Sequence, residues 1–132
     1  MSWSESTSEQ IKRVTEATLK AIGKSSGVEV SYSSGTEASL ANSGATVRLP
    51  TPPGSNITES DVTRLRGAAD AVALRLRYHD GDIHRRLCPS GSDAARVFER
   101  AEQVRVEAIG CRRMSGVEKN ITALLEIRCK AK

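Results

Sequence analysis

Apolar positions in this chain follow two periodicities, and the change from one to the other falls near residue 51. Over residues 10–22, Ile11, Val14 (or Thr15), Thr18 and Ile22 recur at helical spacing with Leu19 beside them, which predicts an amphipathic helix. Ser6-x-x-Glu9 reads as its capping box and Gly23 as its stop, with residues 1–8 expected as a disordered tail. Val28-Glu29-Val30-Ser31-Tyr32 and Ala45-Thr46-Val47-Arg48-Leu49 then alternate apolar with polar, the period of a half-buried strand. The Ser/Gly/Asn-rich residues 33–44 between them read as a loop, so the pair predicts a two-stranded β-hairpin or a small sheet. Pro50 and Thr51-Pro52-Pro53-Gly54 stop the alternation, and residues 51–57 form the expected linker to a helical part.

Beyond the linker the pattern is helical throughout. Thr58-x-x-Asp61 caps a segment whose residues Val62, Leu65, Ala69, Val72 and Leu76 step by three and four, one continuous core stripe ending near His79-Asp80-Gly81. A short turn over residues 83–87 leads to Cys88-Pro89-Ser90-Gly91. From Asp93, residues Ala94, Val97, Phe98, Ala101, Val104, Ala108 and Cys111 line one face of a helix of about five turns. Met114-Ser115-Gly116 ends it, and Ser115-x-x-Glu118 caps a last helix carrying Val117, Ile121, Leu124 and Leu125. The fold class is α+β, mainly helical: a helix, a small β element, then three to four packed helices in one domain spanning residues 1–132.

Composition narrows what such a domain does. No run of about 18 apolar residues exists to span a bilayer, and the first residues have neither the basic start nor the apolar core of a secretory signal, so a cytoplasmic protein is expected. Cys88, Cys111 and Cys129 are odd in number and widely spaced, which predicts reduced, packing thiols. Residues 1–57 hold five basic and five acidic side chains; residues 58–132 hold fifteen and eleven, so the net charge of +4 belongs to the helical part. Twelve of those fifteen are arginines, suited to bidentate pairing with carboxylates or phosphates. A nucleic-acid-binding module is one reading of that surface. Eleven interspersed acids and the lack of an aromatic platform for base stacking weigh against it.

Two places carry candidate chemistry. At 100° per residue, Arg105 and Arg112 fall within about 20° of Ala94, inside the apolar sector of the long helix. An arginine there must be paired, with Glu102 along the helix or Asp70 from the neighbouring one, or must mark a surface that something else buries. Arg66, Arg77 and Glu107 complete the candidate ion-pair and contact set. The second place is His79-Asp80-Gly81-Asp82-Ile83-His84, which gathers metal-ligand types. Histidines four apart share a helix face, whereas these are five apart across a glycine and are expected to diverge, with Asp80 and Asp82 capping the turn that follows. A metal-dependent, degenerate metalloprotease-like reading would use His79, Asp80 and His84 with a glutamate such as Glu102 or Glu107 brought in from the next helix. No P-loop, dinucleotide fingerprint or nucleophile elbow occurs, so no catalytic residue is assigned.

The stretch from Arg66-Gly67-Ala68-Ala69-Asp70 to Tyr78-His79-Asp80, then His84, Glu102-Gln103-x-Arg105-Val106-Glu107-Ala108, Arg113-Met114-x-Gly116-Val117 and Asn120, resembles the N-terminal region of the CobT family. The resemblance runs from about Ile11 to Arg128. It implies a subunit of the aerobic, ATP-dependent cobaltochelatase, which inserts cobalt into hydrogenobyrinic acid a,c-diamide in cobalamin biosynthesis. Its implied partners are an AAA+ ATPase subunit and the large corrinoid-binding subunit; composition predicts no membrane partner and disfavours nucleic acid. The complex would use ATP, Mg2+ and Co2+, and no cofactor is expected on this chain, which is expected to be non-catalytic by itself. Longer family members continue through an acidic linker into a von Willebrand factor A-type domain with an Asp-x-Ser-x-Ser motif. These 132 residues contain no such motif, so a truncated or phage-encoded homologue is the expectation.

Overall fold

A computed structural model describes residues 6–34 and 37–131. Helix α1 (Thr7–Gly23) starts earlier than its apolar stripe, because the Ser6 hydroxyl accepts from the backbone N–H of Glu9. Ser6 to Ser8 are thus part of a capped helix; the rest of the expected tail, residues 1–5, lies outside the described residues. Its stop is displaced by one residue. Lys24 takes the left-handed conformation (φ 52°), while Gly23 stays helical where a Cβ would sit 3.3 Å from Leu76 and from the carbonyl oxygen of Ala73.

The two strands read from alternation are present as β1 (Glu29–Ser33) and β3 (Thr46–Pro50), but they are parallel neighbours rather than hairpin partners. A third strand, β2 (Ser39–Ala41), lies inside the expected loop and pairs antiparallel with β3, giving a small mixed sheet of order β1-β3-β2. The reversal from β2 into β3 runs through Asn42, Ser43 and Gly44, all at positive φ, with the Asn42 amide donating to the Thr46 hydroxyl at 3.1 Å. Two residues with left-handed backbone and a following glycine close the turn locally, so β2 takes the antiparallel edge of β3 and β1 is left the parallel one.

Helix α2 (Glu59–Tyr78) is the axis of the domain. Its N-terminus carries the full capping box, Thr58 and Asp61 each bonding the other's backbone N–H, which holds the Asp61 carboxyl below its ordinary pKa. The predicted stripe of Leu65, Ala69 and Val72 packs against Leu19 of α1 and Val47 and Leu49 of β3 in one core, so residues 51–57 connect two parts of a single core. A second face is buried as well: Gly67, Asp70 and Leu74 contact the later helices. A short helix α3 (Gly81–Leu87), a long α4 (Ser92–Arg113) and α5 (Ser115–Lys130) complete the chain. Helix α4 is about six turns, one more than predicted. The Ser115-x-x-Glu118 cap does not form: Met114 alone separates α4 from α5, with no side-chain cap bond.

Two glycines set the helix spacing. A Cβ on Gly67 would lie 2.7 Å from the Leu124 Cβ, and one on Gly110 would lie 2.8 Å from the Leu74 Cγ, so α5 and α4 approach α2 closely only through them.

Candidate functional site

The histidines meet. His79 is the residue that ends α2 and His84 sits on α3, so the break between the two helices reorients them instead of separating them. Their rings lie 4.8 Å apart edge to face, and His84 also stacks against Phe98 of α4. Divergence is the expectation for two histidines five apart across a glycine. It fails because the extended backbone at His79 and Asp80 turns α3 back on α2.

Helix α4 closes the cluster with two glutamates. Nδ1 of His79 is 2.6 Å from Glu102 Oε2, and Nε2 of His84 is 2.9 Å from Glu99 Oε2. Arg75, one turn before His79, contacts Glu99 Oε1 at 2.6 Å through Nη2, and the same nitrogen lies 3.4 Å from Nε2 of His79. Arg105 clasps Glu102 with Nε and Nη2, and donates from Nη2 to the Tyr78 carbonyl at 3.1 Å. Hydrogen bonding from Arg105, then from His79, holds the Glu102 carboxyl at a pKa of about 2 against the opposing effect of burial. With Arg75 donating to Nε2 of His79, its proton belongs on Nδ1, shared with Glu102. The result is an Arg75–His79–Glu102–Arg105 chain that joins α2 to α4, and beside it the His84–Glu99 pair ties α3 to α4.

His79, His84 and Glu102 each bring a ligand atom within 4.8 Å of the others, the convergence the metal reading required. Asp80 is not among them; it caps α3, accepting from the N–H groups of Asp82 and Ile83. Asp82 instead pairs with Arg85. A cation on Nδ1 of His79 would have to replace its proton and move Nε2–H against the Arg75 donor.

The other candidates are dispersed. Asp70 is 4% exposed and accepts from Asn120 Nδ2 at 2.7 Å, not from Arg105; burial raises its pKa, while Asn120 and Arg66 pull it down. Arg77 donates to the Ile22 carbonyl at the end of α1, and Glu107 accepts from Gln103, which also reaches the Ala71 carbonyl. Arg112 is exposed. Cys88, Cys111 and Cys129 are free thiols, and burial beside Glu118 and Glu107 pushes the Cys111 thiol up. Arg75 and Glu99 were missed. Their signals were an arginine four residues before His79 and a glutamate three before Glu102.

The largest departure is the orientation of α4. Most of the predicted apolar face points outward: Val97 is 70% exposed and Val104 60%, and Ala94, Ala101 and Ala108 are exposed with them, while Phe98 and Cys111 are half-buried. The inward face holds Glu102, Gln103, Val106 and Gly110, of which only Val106 and Gly110 are fully buried. Beside the outward stripe, between α4, α2 and β2, runs a groove of about 750 Å³ bordered by Arg75, Arg85, Arg96, Arg100 and Arg128. Arg96 pairs with Asp93, and Glu37, Glu99 and Glu107 also border the groove, so it is rich in arginine without being uniformly basic.

No helix is long and apolar enough to cross a membrane among the described residues. No solved structure matches the chain. The family model described as cobalamin biosynthesis protein CobT matches residues 5–132, the whole core, the histidine cluster and α4 included. With nearly its full length covered by that match, the chain belongs to the CobT family of cobalamin biosynthesis proteins.

Proposed function

We propose that this domain is a non-catalytic docking element of a cobaltochelatase-type complex, binding the AAA+ ATPase subunit that acts with the large corrinoid-binding subunit. Cobalt insertion into hydrogenobyrinic acid a,c-diamide, with its ATP, Mg2+ and Co2+, would then be the work of the assembly. The observation that carries this reading is the outward apolar face of α4. A helix that turns valines to water and glutamate and glutamine to the core is arranged for a partner to cover. The arginines around it suit carboxylates on that partner, where desolvated bidentate pairs strengthen binding. Co-purification of the chain with the ATPase of the same genome tests it. A complex surviving size exclusion at micromolar concentration is expected; its absence there refutes the reading.

A second reading rests on the convergence of His79, His84 and Glu102: a site for a transition-metal ion of the zinc or cobalt type. Metal analysis of protein purified without added ions tests it, with His84→Ala as the control. Stoichiometric metal lost in that variant supports the site, and metal-free protein that takes up no Zn2+ at 100-fold excess excludes it.

A further inference from the structure

Resting on the metal reading of the histidine cluster, we infer that the ion is structural and that Glu99 is its fourth ligand. His79, His84, Glu99 and Glu102 close around it and staple α3 to α2 and α4. The glutamates carry the argument, because each turns one carboxylate oxygen to a histidine nitrogen and the other to an arginine. Glu102 sets Oε2 2.6 Å from Nδ1 of His79 and Oε1 against Nε of Arg105. Glu99 sets Oε2 2.9 Å from Nε2 of His84 and Oε1 2.6 Å from Nη2 of Arg75. Three residues apart on α4, the two carboxylates share a helix face. Two imidazole nitrogens and two carboxylate oxygens are thus the donors, and the arginines hold the remaining oxygens, as groups that orient metal ligands do. This donor set suits zinc, and the two carboxylates balance its charge.

The geometry is close to what the ion needs. Zinc bonds of about 2.0–2.1 Å set neighbouring tetrahedral ligands about 3.3–3.4 Å apart. Both histidine–glutamate pairs are shorter than that and open slightly to admit the ion, while the ligand atoms of His79, His84 and Glu102, all within 4.8 Å of one another, draw in. Arg75 gives up its contact with Nε2 of His79, at 3.4 Å the longest in the cluster, and keeps Glu99 Oε1. Arg105 keeps Glu102 Oε1 and the Tyr78 carbonyl. Four protein ligands leave no position for water or substrate, so the site holds structure and performs no reaction.

Helix α3 is what such an ion would hold. It has seven residues and none of them is buried, too short a helix to persist by its own hydrogen bonds. Ile83 and Leu87 are exposed and anchor it little. Among the described residues, its hydrogen-bond, ion-pair and ring contacts to other helices are all made by His84, to Glu99, to the His79 ring and to Phe98. The Glu99 side chain is 53% exposed, and an ion pair so open to water holds weakly. A metal on the same imidazole makes that single tie a bond shared by three helices.

The test uses the full chain, stripped of metal with EDTA and titrated with Zn2+ at neutral pH. Calorimetry reads the binding, and hydrogen exchange of the peptide covering residues 80–88 reads α3. One Zn2+ per chain is expected, with a Kd of about 1 μM or tighter. Zn2+ should slow exchange in that peptide at least tenfold in the parent and leave it unchanged in His84→Ala. Glu99→Gln should weaken Zn2+ at least tenfold with the circular dichroism of the parent, because Glu99 is exposed and outside the core. If His84→Ala abolishes binding but E99Q binds as tightly as the parent, or exchange over residues 80–88 does not respond to Zn2+, the metal reading stands and this inference falls. No uptake of Zn2+ at 100-fold excess, or uptake equal in His84→Ala, overturns both.

Discussion

Gly110 is the point where α4 lies against α2, and replacing it with alanine tests how that packing is held. An ideal Cβ there would stand 2.8 Å from the Leu74 Cγ and 2.5 Å from its Cδ1, with Cδ2 closer still. Leu74 is fully buried, so it has no open space to rotate into. Ordinary carbon contacts need about 3.5–4.0 Å, so α4 must shift by roughly 1 Å or more, or Leu74 must leave its rotamer. Overpacking of this kind costs about 1–3 kcal/mol. Alanine in place of a helical glycine returns about 0.8–1.0 kcal/mol. With contacts this short, the steric cost belongs at the upper end of its range, which leaves a net loss of about 2 kcal/mol. For a chain of this size that is a fall in Tm of roughly 6–10 °C. Urea unfolding followed by circular dichroism measures it, and Leu74→Ala supplies the decisive comparison. Leu74→Ala alone should cost about 2–5 kcal/mol through the cavity it leaves. In that background Gly110→Ala should become neutral or stabilising, since the clashing atoms are gone and only the helix preference remains. Equal effects of Gly110→Ala in both backgrounds would refute the account. So would a Gly110→Ala protein more stable than the parent.

Three further outcomes follow from other sites. Thr58→Ala should lose about 1 kcal/mol by removing the α2 cap, read as a lower urea midpoint with an unchanged m-value. Because the folded Glu102 pKa lies near 2, below its ordinary 4.5, its stabilisation is present above about pH 4.5 and is lost as pH falls toward 2. The stability gap between the parent and Glu102→Gln should therefore close over that window; a gap independent of pH would show that the Arg105–Glu102–His79 chain does not act through charge. Asp70 has the opposite sign: its pKa is raised, so its cost is absent in acid and grows as pH rises through the folded value. Asp70→Asn, which keeps an oxygen for Asn120, should be at least as stable as the parent at pH 7, whereas Asp70→Ala should be less stable because Asn120 is left unbonded; a large loss in Asp70→Asn would contradict this.

Where the chain's structure is set by neighbours within a few residues, it was readable in advance. The Thr58–Asp61 box, the start of α2, the end of α2 at His79 and the break after Cys88 all rest on backbone groups and side chains three or four positions apart. Ser6 and Asp80 cap for the same reason. The same local logic erred where one signal had two readings. Ser115-x-x-Glu118 has the residues of a cap, but the single-residue link at Met114 leaves no room for the extended backbone that a cap at Ser115 requires.

What only the tertiary structure decided is which surfaces meet. Alternation predicted β1 and β3, but their parallel pairing depends on β2 taking the other edge of β3, a matter of chain path and not of strand propensity. His79, His84, Glu99, Glu102 and Arg75 are spread over 28 residues and three helices, and they converge because α3 folds back and α4 crosses beside it. For α4 the sequence determined the helix and its apolar stripe, while packing determined that the stripe faces out. Gly110 and Val106, small and on the opposite side, fit against Leu74, and the close approach they permit decides the orientation. Periodicity reports that a helix has an apolar face. Whether that face is buried in its own domain or kept for another protein depends on which side fits the neighbouring helix, and shape complementarity of that kind is encoded only in three dimensions.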